Sequence, residues 1–160
     1  VTLVQNGANV DITVHLFSPN FFVKTGAGND QAFKFNGIDV VLGDITVDAH
    51  VPALAAATGA FDSGGTGDFE FGITCPTCKN GAPGAFNTDI EFTVANATIA
   101  DLTVPNNFGN IFAADIFSSN LDGLGGTGNT GMVDAVPEPG TAALLGLGLF
   151  GLAAAGRRRG

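Results

Sequence analysis

A chain of 160 residues with 13% charged and 45% hydrophobic residues has the apolar content to bury a core and too little charge for an acidic disordered tail or a coiled coil. Its length suits one domain and leaves no room for a second full one. Fifteen Asp and Glu against six Lys and Arg give a formal net charge of -9, which offers no footprint for phosphate backbones and sets nucleic acid aside as a partner.

The chain opens VTLVQNG with no initiator methionine, basic n-region or apolar h-region, and its one methionine is Met132. The N-terminus is therefore expected to be a truncation or a processing product, and a secretory signal peptide is neither seen nor excluded. Val1 to Val4 and then Val10, Ile12, Val14 and Leu16 alternate apolar with polar residues, the period of half-buried strands. Asn6-Gly7 between them predicts a hairpin, its turn type left open by the five-residue connection QNGAN.

Further runs rich in β-branched and aromatic residues follow: Phe33 and Phe35; Ile38, Val40 and Leu42; Ile45 to Val51; Phe69, Phe71 and Ile73; Ile90, Phe92 and Val94; and Ile99 with Leu102 and Val104. The one helix-friendly piece before residue 136 is Pro52 to Ala57, a turn or two at most. Short strands without intervening helices imply antiparallel pairing, and two such sheets must cover each other's apolar faces. The expected fold is an all-β antiparallel sandwich of jelly-roll or immunoglobulin-like type, with a barrel as the lesser closure. Phe occurs fourteen times, with neither Trp nor Tyr; a ring without a polar tip reads as core filler.

Two Gly-rich stretches carry GGTG followed by Asp or Asn: Asp62 to Asp68, and Leu121 to Gly131. Calcium turns use such residues, but two imperfect copies some sixty residues apart read better as a flexible loop and a flexible linker. The domains expected are a sandwich ectodomain at 1–120, a Gly-rich linker at 121–135 and a C-terminal signal at 136–160.

Cys75 and Cys78 form a C-x-x-C after the strand DFEFGIT. Redox chemistry would want a βαβ setting, and zinc would want two more ligands, whereas His15 and His50 lie far upstream. A disulfide closing a tight loop fits an exported chain best; metal binding, redox chemistry and free thiols stay open. No metal site and no cofactor are assigned. His15 and His50 read as solvent-facing sheet positions. The acid pairs Asp68 with Glu70 and Asp89 with Glu91 have the i, i+2 spacing of one strand face, usable for glycoside hydrolysis or calcium but far commoner as wet-face carboxylates. No G-x-S-x-G occurs, so no catalytic residue is assigned and the chain is not read as an enzyme. Asn96-Ala97-Thr98 is a formal glycosylation sequon. Gly146 to Gly151 matches G-x-G-x-x-G by letter alone, since no strand precedes it and it lies inside an apolar run.

The charge is divided. Residues 1–136 hold Lys24, Lys34 and Lys79 against fourteen carboxylates, a formal -11, and the last 24 hold Arg157, Arg158 and Arg159 against Glu138, a formal +2. Pro137 and Pro139 bar a helix interior and keep the chain extended. Residues 141–156 then give sixteen uncharged residues, about 24 Å as a helix, short of the roughly 30 Å hydrocarbon core but within what local thinning accommodates. Glycines in that run suit close helix approach. The arginines would stay cytoplasmic, leaving the body outside.

This tail, Val136-Pro137-Glu138-Pro139, an apolar helix rich in Leu, Gly and Ala, and a terminal Arg cluster, resembles the PEP-CTERM sorting signal of Gram-negative bacteria, with Gly140 where Ser is frequent. The body, particularly FEFGITCPTCKNG and IFAADI at Ile111 to Ile116, is similar to the uncharacterised β-rich ectodomains that accompany such tails. The resemblance implies export through the general secretory pathway and processing by an exosortase, an integral-membrane cysteine protease. Pro137, Glu138 and Pro139 would be its recognition peptide, the transmembrane helix 141–156 the inner-membrane retention segment, and Arg157, Arg158 and Arg159 the orientation signal. It also implies transient anchoring in the inner membrane, then the cell surface or extracellular matrix, with a role in exopolysaccharide, biofilm or floc. The expected function is a structural surface or matrix protein. The alternative is an exopolysaccharide-binding module that, for want of Trp and Tyr, would use Phe platforms or calcium-assisted contacts, and a secreted hydrolase has the least support.

Overall fold

The computed structural model describes residues 1–118 and the strand 129–135. The strands are β1 (Thr2–Asn6), β2 (Asn9–Val14), β3 (Asn20–Phe22), β4 (Phe33–Phe35), β5 (Ile45–Val47), β6 (Ala55–Asp62), β7 (Asp68–Thr74), β8 (Ile90–Val94), β9 (Phe112–Ser118) and β10 (Asn129–Ala135), with one helical turn, α1 (Ile99–Leu102). All pairings are antiparallel, in two sheets ordered β1-β2-β8-β5 and β10-β9-β4-β7-β6. β10 takes one edge of β9 along its whole length, while β4 and β3 share the other, β4 against Phe112 to Ala114 and β3 against Ile116 to Ser118.

The hairpin predicted around Asn6-Gly7 is present. Asn6 pairs with Asn9, so the connection is Gly7 and Ala8 alone, and only Gly7 takes a positive φ, +62°, as a type II′ turn requires of its first central residue. Period two then sorts the side chains. Val10, Ile12 and Val14 of β2 with Ile90, Phe92 and Val94 of β8 face Phe33, Phe35, Phe71, Ile73, Phe112 and Ala114 of the other sheet in one core. The Phe92 ring is 5.3 Å from that of Phe35 and 6.1 Å from that of Phe33, which joins the two layers. Phe as core filler holds for most of its positions, while Phe17 and Phe108 are exposed.

Four local expectations are corrected. Ile38 to Leu42 is not a strand: Asp39 adopts φ +57°, which breaks the alternation, and Ile38, Val41 and Leu42 stay exposed. The run from Ile45 keeps strand pairing only to Val47. Ala55 to Ala57, read as helix-friendly, belongs to β6; six residues cannot support a helix nucleus, whereas β7 offers them a ladder. Ile99 to Leu102 is helical because Thr98 and Asp101 form a reciprocal capping box, in which the Asp101 carboxylate accepts from the Thr98 N–H at 2.8 Å. The Thr98 hydroxyl and amide hold the Asp101 carboxyl below its usual value.

No helix among the described residues is long and apolar enough to cross a membrane; the helix expected at 141–156 lies outside them. Residues 129–135, inside the stretch read as a Gly-rich linker, form β10 and extend the second sheet by a strand.

Candidate functional site

The outward face of β7 carries Asp68 and Glu70, because Phe69, Phe71 and Ile73 turn into the interior. Beyond the end of β4, the Asn36 side-chain oxygen accepts the Glu70 N–H at 3.0 Å, doing the work of a ladder bond. On the facing edge, β6 has a register shift between Thr58 and Phe61, which turns Gly59 and Ala60 outward. The result is a groove of about 740 Å³ in which Asn36, Asp68, Glu70 and Asn107 supply polar groups and Ile38, Val104 and Pro105 supply apolar wall. Carboxylate acceptors, amides that donate and accept, and apolar surface together match a polyhydroxylated ligand. Asp68 and Glu70 are thus brought into one site. Asp89 and Glu91 are not: Asp89 pairs with exposed His15 at 2.7 Å, and Glu91 lies on the outer face of β8 opposite Thr13.

The first GGTG loop closes one end of this region and is fastened, contrary to the flexible loop expected. The Thr66 carbonyl accepts from the side-chain amides of Asn106 and Asn110, both at 2.7 Å, and the Thr66 hydroxyl donates to the Ser63 carbonyl at 2.9 Å. Gly67 has φ +94°, and a Cβ there would collide with Asn106, Asn107 and Phe108. The Thr66 carbonyl, which a calcium turn would offer, is occupied by two amides, and among the described residues no three His, Cys, Asp or Glu side chains stand together as a metal site. Of the second GGTG copy, residues 121–128 lie outside the described residues.

Sequence alternation puts Lys34 on the wet side of β4, yet it is fully buried. The segment from Val23 to Ala32 crosses that face: Gly28 packs on Asp115, Gln31 lies over Gly72, and Asn29 reaches the Ala60 carbonyl. Lys34 donates to the buried Ser63 hydroxyl at 2.9 Å. Burial brings its pKa down to about 8, against the pull of Asp115 and Asp62. Burial also raises the Asp115 carboxyl, more than the Thr25 hydroxyl and the Lys34 charge lower it. One carboxylate oxygen of Asp115 and the side-chain oxygen of Gln31 accept no hydrogen bond. The available sequence signal was the small residues Gly28 and Gly72, which leave room over the sheet.

The Cα atoms of Cys75 and Cys78 stand 5.3 Å apart, within the span a disulfide bridges. His50 is engaged at both ring nitrogens, with the Pro52 carbonyl at 2.6 Å and the Thr88 hydroxyl at 2.7 Å. The carbonyl only accepts, so Nδ1 donates to it, and with Thr88 on Nε2 both ring nitrogens are engaged, leaving neither for a ligand. Asn96 is exposed. Pro137, Glu138, Pro139, Arg157, Arg158 and Arg159 lie outside the described residues.

No curated protein and no solved structure matches the chain. Residues 135–159 match the family model of the PEP-CTERM protein-sorting motif, the motif that an exosortase recognises. The chain therefore carries a PEP-CTERM protein-sorting motif, which marks it as an exosortase-targeted protein secreted to the cell surface.

Proposed function

We propose that the chain is a non-catalytic structural protein of the bacterial surface or extracellular matrix, associated with exopolysaccharide and biofilm and delivered by its tail. Pro137, Glu138 and Pro139 are the peptide that exosortase reads, residues 141–156 hold the chain transiently in the inner membrane, and Arg157, Arg158 and Arg159 keep its end cytoplasmic. The sorting-motif match at 135–159 carries this reading. Replacing Pro137, Glu138 and Pro139 together by Ala is expected to abolish processing and surface display in a host with the enzyme; unchanged processing overturns it. The mature species, analysed without reduction, is expected to hold Cys75 and Cys78 as a disulfide and to offer no alkylatable thiol.

The groove favours a second reading, in which the sandwich also binds exopolysaccharide. Asp68 and Glu70 accept from sugar hydroxyls, the amides of Asn36 and Asn107 bond them in either sense, and Ile38 and Pro105 lie against ring faces. Binding of the full chain to the host's own polysaccharide is expected to weaken about tenfold or more in Asp68→Asn with Asn107→Ala, since unmet polar groups in a site cost roughly 1–3 kcal/mol each. Equal binding by variant and parent rules the groove out, and loss on chelation of calcium would assign the binding to an ion.

A further inference from the structure

The sorting motif is not held away from the body by a linker. Ala135, the first matched residue, is also the last of β10, and its backbone stands opposite Phe112 of β9. Val136 alone separates it from Pro137. We propose that β10 is a releasable arm: it must leave the edge of the second sheet before an exosortase can engage the motif. This rests on the reading that the enzyme processes the chain at Pro137 to Pro139.

The first argument is one of reach. With β10 docked, the six steps from Ala135 to Thr141 span at most about 20 Å of extended chain, and the interfacial layer takes roughly 5–7 Å of it. The sandwich would then be pressed against the membrane where the protease stands. Release of the seven residues of β10 adds about 23 Å and roughly doubles the reach. The second argument is occupancy. A peptide entering a recognition cleft presents its backbone in extended form, and the backbone of Ala135, two residues before Pro137, is committed to β9. A cleft that takes the residues flanking Pro137 needs that end of the strand free.

The strand is built for this. It is an edge strand, paired with β9 alone, and its sequence NTGMVDA sets Asn, Gly and Asp, poor strand formers, among few β-branched residues. Pro137 and Pro139 cannot prolong the ladder. Docking has its own support, because β10 pairs with β9 over all seven of its residues. The substrate-competent population is then the released fraction, and the processing rate scales with it.

The test pins the strand. Ala114 stands opposite Val133, so Ala114→Cys with Val133→Cys cross-links β9 to β10 in the oxidising compartment. The cross-linked chain is expected to lose processing in the exosortase host, while each single-Cys variant is processed like the parent. A flexible ten-residue insertion between Ala135 and Val136 is expected to restore processing with the cross-link in place. Processing of the cross-linked chain at the parental rate overturns the proposal. Loss of processing that the insertion does not restore also overturns it, since the cross-link would then act through folding or export. Processing of the triple Ala variant at 137–139 would instead defeat the reading on which the proposal rests.

Discussion

Lys34 shows how far a single residue departs from what its neighbours in sequence imply. Phe33-Lys34-Phe35 reads as a strand with a wet middle position, and β4 does place both rings in the core. What the three letters cannot carry is that residues 23–32 and the loop after β6 fold over the same face. Burial there holds the native pKa near 8, against 10.5 for the free side chain. Between those values the unfolded chain binds more protons than the native one, so stability rises with pH through this window. Measured by denaturant titration against Lys34→Met, the parent is expected to gain up to about 3 kcal/mol from pH 8 to 10.5, at 1.36 kcal/mol per unit. A flat difference across that range would show that the ammonium is not penalised by burial. Asp115 has the opposite sense. Its native pKa is raised, so the folded state binds the extra proton and its contribution declines as pH climbs above 3.8.

Elements whose apolar residues alternate without interruption were legible: β2, β4, β7 and β8 stand where the pattern puts them. Those that depend on a cap, a bulge or a distant partner were not. α1 was readable in principle from Thr98 and Asp101, three apart, but the apolar spacing of Ile99, Leu102 and Val104 suggested a strand. β10 was hidden by composition, since Gly-rich sequence describes a linker until β9 offers it an edge. The loop after β6 was read as flexible for the same reason, and its order comes from Asn106 and Asn110, forty and more residues away. Two glycines of that loop separate the causes. Gly65 and Gly67 both have positive φ, +99° and +94°, but a Cβ at Gly65 meets open space while one at Gly67 meets three side chains. Both Ala variants bear the conformational cost of roughly 1 kcal/mol. Gly67→Ala is expected to cost about 1–3 kcal/mol more, the price of displacing packed groups. Equal midpoints for the two variants in denaturant would mean that the Asn106 to Asn110 turn yields freely.

At the scale of the molecule, two packed sheets were expected from composition and period, with a barrel as the lesser closure, because short alternating strands must cover their apolar faces. The groove could not be foreseen, for it joins Asn36, Glu70 and Asn107 from three separate segments, and only the pairing of Asp68 with Glu70 was visible in advance. The tail was legible from its order of prolines, apolar run and arginines. The burial of Lys34 also redraws the surface. Of the three lysines in residues 1–136, only Lys24 and Lys79 remain to offset the acidic exterior. These two are neighbours in space, for the Gly81 N–H donates to the Lys24 carbonyl at 2.9 Å, beside the Cys75–Cys78 loop. Each body carries a formal net negative charge, so copies secreted side by side repel over the roughly 8–10 Å that salt leaves unscreened. Against an anionic headgroup layer or an acidic polymer the same charge opposes close approach, and more strongly at low salt. The spacing of copies at a crowded surface is thereby biased before any specific contact forms.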